Sequence, residues 1–77
     1  MTVLLYEPKR AAVRADSHGR PIAVGGAGVE TVREEWLVED RWWTPDPIHR
    51  HYFELALADG RCEVVFRDQT GWFSQRA

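Results

Sequence analysis

His51-Tyr52-Phe53-Glu54-Leu55-Ala56-Leu57-Ala58, then Asp59-Gly60, then Arg61-Cys62-Glu63-Val64-Val65-Phe66-Arg67 is the stretch that decides the fold. Two runs rich in aromatic and β-branched residues flank an Asp-Gly pair, the signal of a tight hairpin. A two-residue turn at Asp59-Gly60 predicts that Leu57 pairs with Cys62, Leu55 with Val64 and Phe53 with Phe66. Side chains alternate along a strand, so these apolar residues share one face. The other face then sets Tyr52 beside Arg67, Glu54 beside Val65 and Ala56 beside Glu63. A slip of one residue would mix the two sets.

Downstream, Asp68-Gln69-Thr70-Gly71 leads into Trp72-Phe73-Ser74-Gln75. Pairing Arg67 with Trp72 puts Phe66 opposite Phe73 and extends the apolar face. Trp72 then joins Arg67 and Tyr52 on the other face. A three-residue loop would exchange the roles of Trp72 and Phe73. Upstream, Ala11 to Ala15 and Pro21 to Val24 flank Asp16-Ser17-His18-Gly19-Arg20, a looser hairpin with glycine at positive φ. Gly25-Gly26-Ala27-Gly28 reads as a flexible loop. Thr31 to Trp43 has two readings. As a strand, Val32, Trp36, Val38 and Trp42 share a face with Glu34 and Asp40. As a helix, Val29, Val32 and Trp36 form a stripe behind a Thr31-x-x-Glu34 capping box. The β-branched and aromatic content favours the strand. Thr44-Pro45-Asp46-Pro47 is a loop, because closely spaced prolines interrupt regular structure. The expectation is an all-β fold: a small antiparallel meander of five or six strands, as a curled sheet or small barrel.

Composition fits one domain spanning residues 1–77. A chain this short buries about 60–65% of its unfolded surface, leaving little for a deep catalytic pocket. Hydrophobic residues are 44% and charged residues 29%, a globular balance, and four residues are tryptophan, an interface-forming type. The net charge of −2 argues against a general nucleic-acid coat. Charge is uneven: Lys9, Arg10, Arg14 and Arg20 mark a basic start, and Glu30, Glu34, Glu35, Glu39 and Asp40 an acidic stretch. Such runs are most often solvated faces. With Cys62 as the single cysteine there is no internal disulfide. No apolar run approaches the ~20 residues of a membrane span, and Val3 to Tyr6 is too short for a signal peptide, so a cytoplasmic protein is expected.

Candidate chemistry is thin. The Gly25–Gly28 segment lacks the Lys and Ser/Thr of a phosphate loop. His49 and His51 would point to one side of a strand, with Asp68 opposite His51 as a third metal ligand; solvated histidines are the plainer reading. Cys62, facing inward beside Leu57, is a small buried hydrophobe rather than a nucleophile. No catalytic set, cofactor or metal site is expected. Arg41-Trp42-Trp43, Arg50-x-Tyr52-Phe53 and Arg67…Trp72 instead bring arginine next to aromatic rings three times. Trp42 and Trp43, being adjacent, must face opposite ways in an extended chain. Tyr52, Arg67 and Trp72 form an expected outer-face cluster able to anchor a partner, although internal packing would account for it equally.

Trp42-Trp43, a Pro-containing loop, Arg50-x-Tyr52-Phe53, Asp59-Gly60, Phe66-Arg67-Asp68 and Gly71-Trp72-Phe73 follow in order over roughly residues 20–75. This series resembles the C-terminal segment of ImuB-type Y-family DNA polymerase homologues of bacterial damage-induced mutagenesis. It is similar also to small stand-alone bacterial domains of unknown function. The resemblance implies a part in translesion synthesis, through contacts with components of an error-prone polymerase complex. It implies no catalysis, because the polymerase domain has no counterpart here. Both a stand-alone relative and an excised domain are compatible with it. The expected function is therefore a non-catalytic protein-interaction module with Trp42, Trp43, Arg50, Tyr52, Arg67 and Trp72 as its surface. A single-stranded nucleic-acid binder using the same rings is the alternative. Alanine at Tyr52 and Trp72 is expected to abolish partner binding with the fold intact.

Overall fold

The computed structural model describes residues 9–40, 43 and 48–75. Its regular elements are strands: β1 (Lys9–Arg10), β2 (Val13–Ala15), β3 (Pro21–Val24), β4 (Ala27–Asp40), β5 (Ile48–Leu57), β6 (Cys62–Asp68) and β7 (Gly71–Gln75). They form one antiparallel sheet in the order β1-β7-β6-β5-β4-β3-β2. From β2 onward each strand lies beside its successor, which is the expected meander. The strand count exceeds the expected one because the first segment divides between the two edges. β1 pairs with β7, while β2 pairs with β3, and Ala11 and Ala12 alone separate them. Ala11 N–H donates to the Trp72 carbonyl at 3.0 Å, and the Ala12 carbonyl accepts from Gly25 N–H at 2.7 Å. One short stretch thus meets both edges, and the sheet curls into a half-barrel. Among the described residues no helix is long and apolar enough to cross a membrane.

The central hairpin forms where expected, but its register differs. Leu57 N–H donates to the Arg61 carbonyl at 2.8 Å, and Gly60 N–H to the Leu57 carbonyl at 3.0 Å. The turn therefore holds three residues, Ala58-Asp59-Gly60, with Gly60 at φ 91° in the left-handed position. This is a type I turn closed by a glycine bulge. Asp59 favours it: Oδ1 accepts from Arg61 N–H at 3.1 Å and Oδ2 from Arg61 Nε at 2.8 Å. Each β5 residue consequently meets a partner one place earlier than predicted. Tyr52 opposes Phe66, Phe53 opposes Val65, Leu55 opposes Glu63 and Ala56 opposes Cys62. Cys62 is exposed, contrary to the inward placement the shorter turn implied.

The shift sorts the large residues onto two apolar faces rather than one. Inside the curl, Phe53, Leu55, Leu57, Val65 and Val24 form the core, with Val13, Ala27, Val29, Val32 and Trp72 packed against it. Outside, Tyr52 and Phe66 are buried as well. At the next turn the expected register holds: Arg67 pairs with Trp72, Phe66 with Phe73 and Asp68 with Gly71.

Residues 31–40 are strand, not helix. Bulges interrupt β4 between Val29 and Thr31 and between Val32 and Glu34. An extra residue shifts the alternation. Val32 therefore faces the core while Trp36 lies opposite Tyr52 on the outer face, instead of sharing its face as expected. The Gly25–Gly28 segment is not a loose loop: Val24 pairs with Ala27, leaving Gly25-Gly26 as a tight turn. Asp16 Oδ1 accepts from the backbone N–H groups of His18 (2.8 Å) and Arg20 (3.0 Å), and Gly19 takes the expected positive φ of 82°. The β3–β4 ladder stops after Ala23↔Gly28. Pro21 has no N–H to extend it, and the bulge after Val29 turns β4 aside. From Glu30 to Asp40, β4 has no described strand on its outer edge.

Candidate interaction surface

Across the outer face five residues stand in direct register: Arg10, Phe73, Phe66, Tyr52 and Trp36, one from each of β1, β7, β6, β5 and β4. Trp36 stacks on Tyr52 at 5.2 Å, Tyr52 meets Phe66 at 5.0 Å, and Phe66 stacks on Phe73 at 5.2 Å. The Arg10 guanidinium lies 5.2 Å from the Phe73 ring centre and ends the row. Arg50, two residues before Tyr52 on the same face, covers Phe66 at 4.5 Å. Its Nη1 donates to the Tyr52 hydroxyl at 3.2 Å, and that hydroxyl donates to Gln75 Oε1 at 3.0 Å. Cross-strand aromatic pairs are the stabilising unit of a sheet. Here three occur in sequence, so Phe66 is 1% exposed although among the described residues no second sheet is stacked on it.

Two predicted surface residues, Arg67 and Trp72, lie on the inner face instead. The expected Tyr52–Arg67–Trp72 cluster does not form, because the longer turn puts Tyr52 opposite Phe66. Arg67 sits 5.7 Å over the Trp72 ring, and Trp72 packs on Phe53 at 5.6 Å. His51 stacks on Phe53 at 4.3 Å and bonds Glu35 Oε2 through Nε2 at 2.8 Å. Arg20 Nη1 donates to Glu35 Oε1 at 2.8 Å. The hydrogen bonds from His51 and then from Arg20 hold the Glu35 carboxyl below its ordinary range. This network joins the 16–20 turn to β4 at the mouth of the curl. Gly19 closes against it: a Cβ there would lie 2.9 Å from Arg67 Nη1.

The histidine pair does not gather a metal set. His51 opposes Arg67 rather than Asp68, and His49 lies 3.6 Å from Glu39. Asp68 accepts from the Thr70 N–H and hydroxyl, both at 2.7 Å. Among the described residues no three His, Cys, Asp or Glu side chains converge on a common point. A shallow hollow near the central turn is lined by Gly26, Ala27, Gly28, Ala58, Asp59 and Arg61, and its charged pair is bonded to itself.

The distal end of the β4–β5 hairpin is different in kind. β6 follows β5 only as far as His51, so the far end of this hairpin runs on beyond the rest of the sheet. Trp43, between the two strands, is exposed (65%), as are Leu37 (67%) and Trp36 (39%) at the base of this projection, in register with His51 and Tyr52. Of the adjacent pair, Trp43 is exposed, while Trp42 lies outside the described residues. Trp36 and Leu37 were missed by sequence reasoning, although the argument applied to Trp42-Trp43 fits them too. Adjacent strand residues face opposite ways, and Trp36-Leu37 is exposed on both faces, whereas the neighbours Tyr52-Phe53 and Val65-Phe66 are buried on both. No protein-family model, no curated protein and no solved structure matches this chain.

Proposed function

We propose that this domain is a non-catalytic protein-interaction module that grips its partner with an arm made of the projecting end of the β4–β5 hairpin and the base from which it projects. Exposure of Trp36, Leu37 and Trp43 on that arm carries the reading. Large apolar side chains grouped on a protruding element are characteristic of interaction sites. The resemblance set out above supplies the setting: a cytoplasmic role beside an error-prone polymerase in bacterial translesion synthesis. Single-stranded nucleic acid fits the same arm less well. Base stacking needs free ring faces. The rings of the outer row are committed to one another and to Arg50, and the arm carries Glu34, Glu35 and Glu39.

The test is site-specific photocrosslinking in bacteria treated with a DNA-damaging agent. A benzophenone amino acid at position 37 is expected to capture a polymerase-complex component, and the same probe at position 61 is not. Absence of any adduct from position 37, or equal adducts from both positions, would refute the assignment.

A further inference from the structure

The backbone of β4 from Glu30 onward is paired to β5 on one side and to no described strand on the other. About half the N–H and C=O groups of an edge strand point away from its single neighbour. The arm is also electrostatically unbalanced. Glu34 stands directly opposite Glu54 on the outer face, and among the described residues neither has an ion-pair partner. Like charges in direct cross-strand register are destabilising. Among the described residues Glu30 is likewise without an ion pair, and Glu39 meets His49, at 3.6 Å. Between these carboxylates stand the exposed Trp36 and Leu37, one on each face.

We propose that the outer edge of β4 receives an extended, cationic segment of the partner as an added antiparallel strand. This rests on the interaction-module reading and names the chemistry of the partner. Backbone ladder bonds would supply the affinity common to strand addition, and alternate side chains the selectivity. Lysine or arginine opposite Glu34 relieves the Glu34–Glu54 repulsion, and a cation opposite Glu39 completes the match, Glu35 being already bonded to Arg20 and His51. Apolar residues opposite Trp36 and Leu37 cover the two exposed side chains. A second copy of this chain is a poor occupant, because each edge would bring Glu30, Glu34, Glu35 and Glu39 against the other's with Arg33 as the sole cation of that stretch. Nucleic acid is opposed by the same carboxylates.

The required pattern can be written as a probe. In antiparallel alignment, the end-capped peptide Lys-Thr-Leu-Tyr-Thr-Lys places its residues opposite Glu39, Val38, Leu37, Trp36, Glu35 and Glu34 in turn. Fluorescence anisotropy would measure its binding beside two relatives, one with Glu for every Lys and one N-methylated at alternate backbone nitrogens. The lysine form is expected to bind with salt-sensitive affinity, and the glutamate form about tenfold or more weakly. The N-methylated form is expected not to bind, because its ladder is blocked. The Glu34→Lys/Glu39→Lys double variant, with its fold verified by circular dichroism, is expected to reverse the charge preference and to lose the position-37 crosslink. Failure of the lysine peptide to bind, or equal binding of the N-methylated form, overturns strand addition. If the crosslink nevertheless persists in the double variant, the interaction-module reading survives without it. A crosslink missing from the native protein while the peptides behave as expected overturns the partner assignment and leaves the edge chemistry standing.

Discussion

Replacing Phe66 by alanine tests whether the outer aromatic row is core. The ring is 1% exposed and touches Tyr52, Phe73 and Arg50. Truncating a buried Phe to Ala costs about 3–5 kcal/mol. At about 0.05–0.15 kcal/mol per residue, a 77-residue domain has roughly 4–12 kcal/mol in total. Phe66→Ala therefore removes about a quarter or more of the stability and can unfold the domain outright. Trp36→Ala is the internal comparison. It ends the row, is 39% exposed and makes one ring contact, so its loss is expected to cost about 1–2 kcal/mol. Urea titration followed by far-ultraviolet circular dichroism avoids depending on the tryptophan being removed. With m near 1 kcal/mol/M, the Phe66 variant should lose about 3–5 M from its midpoint, against about 1–2 M for the Trp36 variant. A Phe66→Ala cost below about 1.5 kcal/mol, or equal costs for the two variants, would refute the claim that the outer face is packed.

Two further outcomes follow from the register and from the mouth of the curl. Glu35 has its carboxyl depressed below the ordinary 4.5 by His51 and then Arg20. Its contribution to stability is therefore complete above that value and is lost as pH falls through the lower folded-state value. Glu35→Gln should flatten the acid limb of the stability–pH profile, and an unchanged limb would show that the bonds have no thermodynamic weight. Cys62, opposite Ala56 and exposed, should react with a thiol reagent in the native protein at one equivalent; a requirement for denaturant would restore the two-residue turn.

Much of the fold was legible because strands and turns carry local signals. Asp59-Gly60 located the central hairpin, and Phe66 opposite Phe73 was fixed by the short Gln69-Thr70 turn. The error at the central turn has a local cause with wide consequences. An Asp-Gly pair suits both a two-residue turn and the last two places of a three-residue turn. The choice was made by Asp59 bonding Arg61 on two of its nitrogens, which pattern counting does not weigh. One residue of register then moved Cys62 outward and separated Tyr52 from Arg67 and Trp72. The bulges of β4 were invisible for a related reason. They obey no periodicity, and what reveals them is the placement of Val32 on the core with Trp36 on the opposite face. Arg50 and Tyr52 did prove neighbours, but as the cover and centre of the aromatic row.

That outcome changes which residues can report on binding. Tyr52 is buried between Trp36 and Phe66, and Trp72 packs on the inner core. Alanine at either position removes packing, contrary to the expectation that both could be cut back with the fold intact. Lost binding in such variants would be uninterpretable, since an unfolded module binds nothing. Trp36 is ambiguous in the same way, being both the end of the row and part of the exposed patch. Leu37 is not ambiguous. It faces away from the row, opposite His51, and is 67% exposed. A surface side chain of this kind changes stability by about 0.5 kcal/mol or less when substituted. Leu37→Ser is therefore the variant whose loss of binding can be assigned to the interface. If it binds as the native protein does, the grip does not use the inner face of the arm.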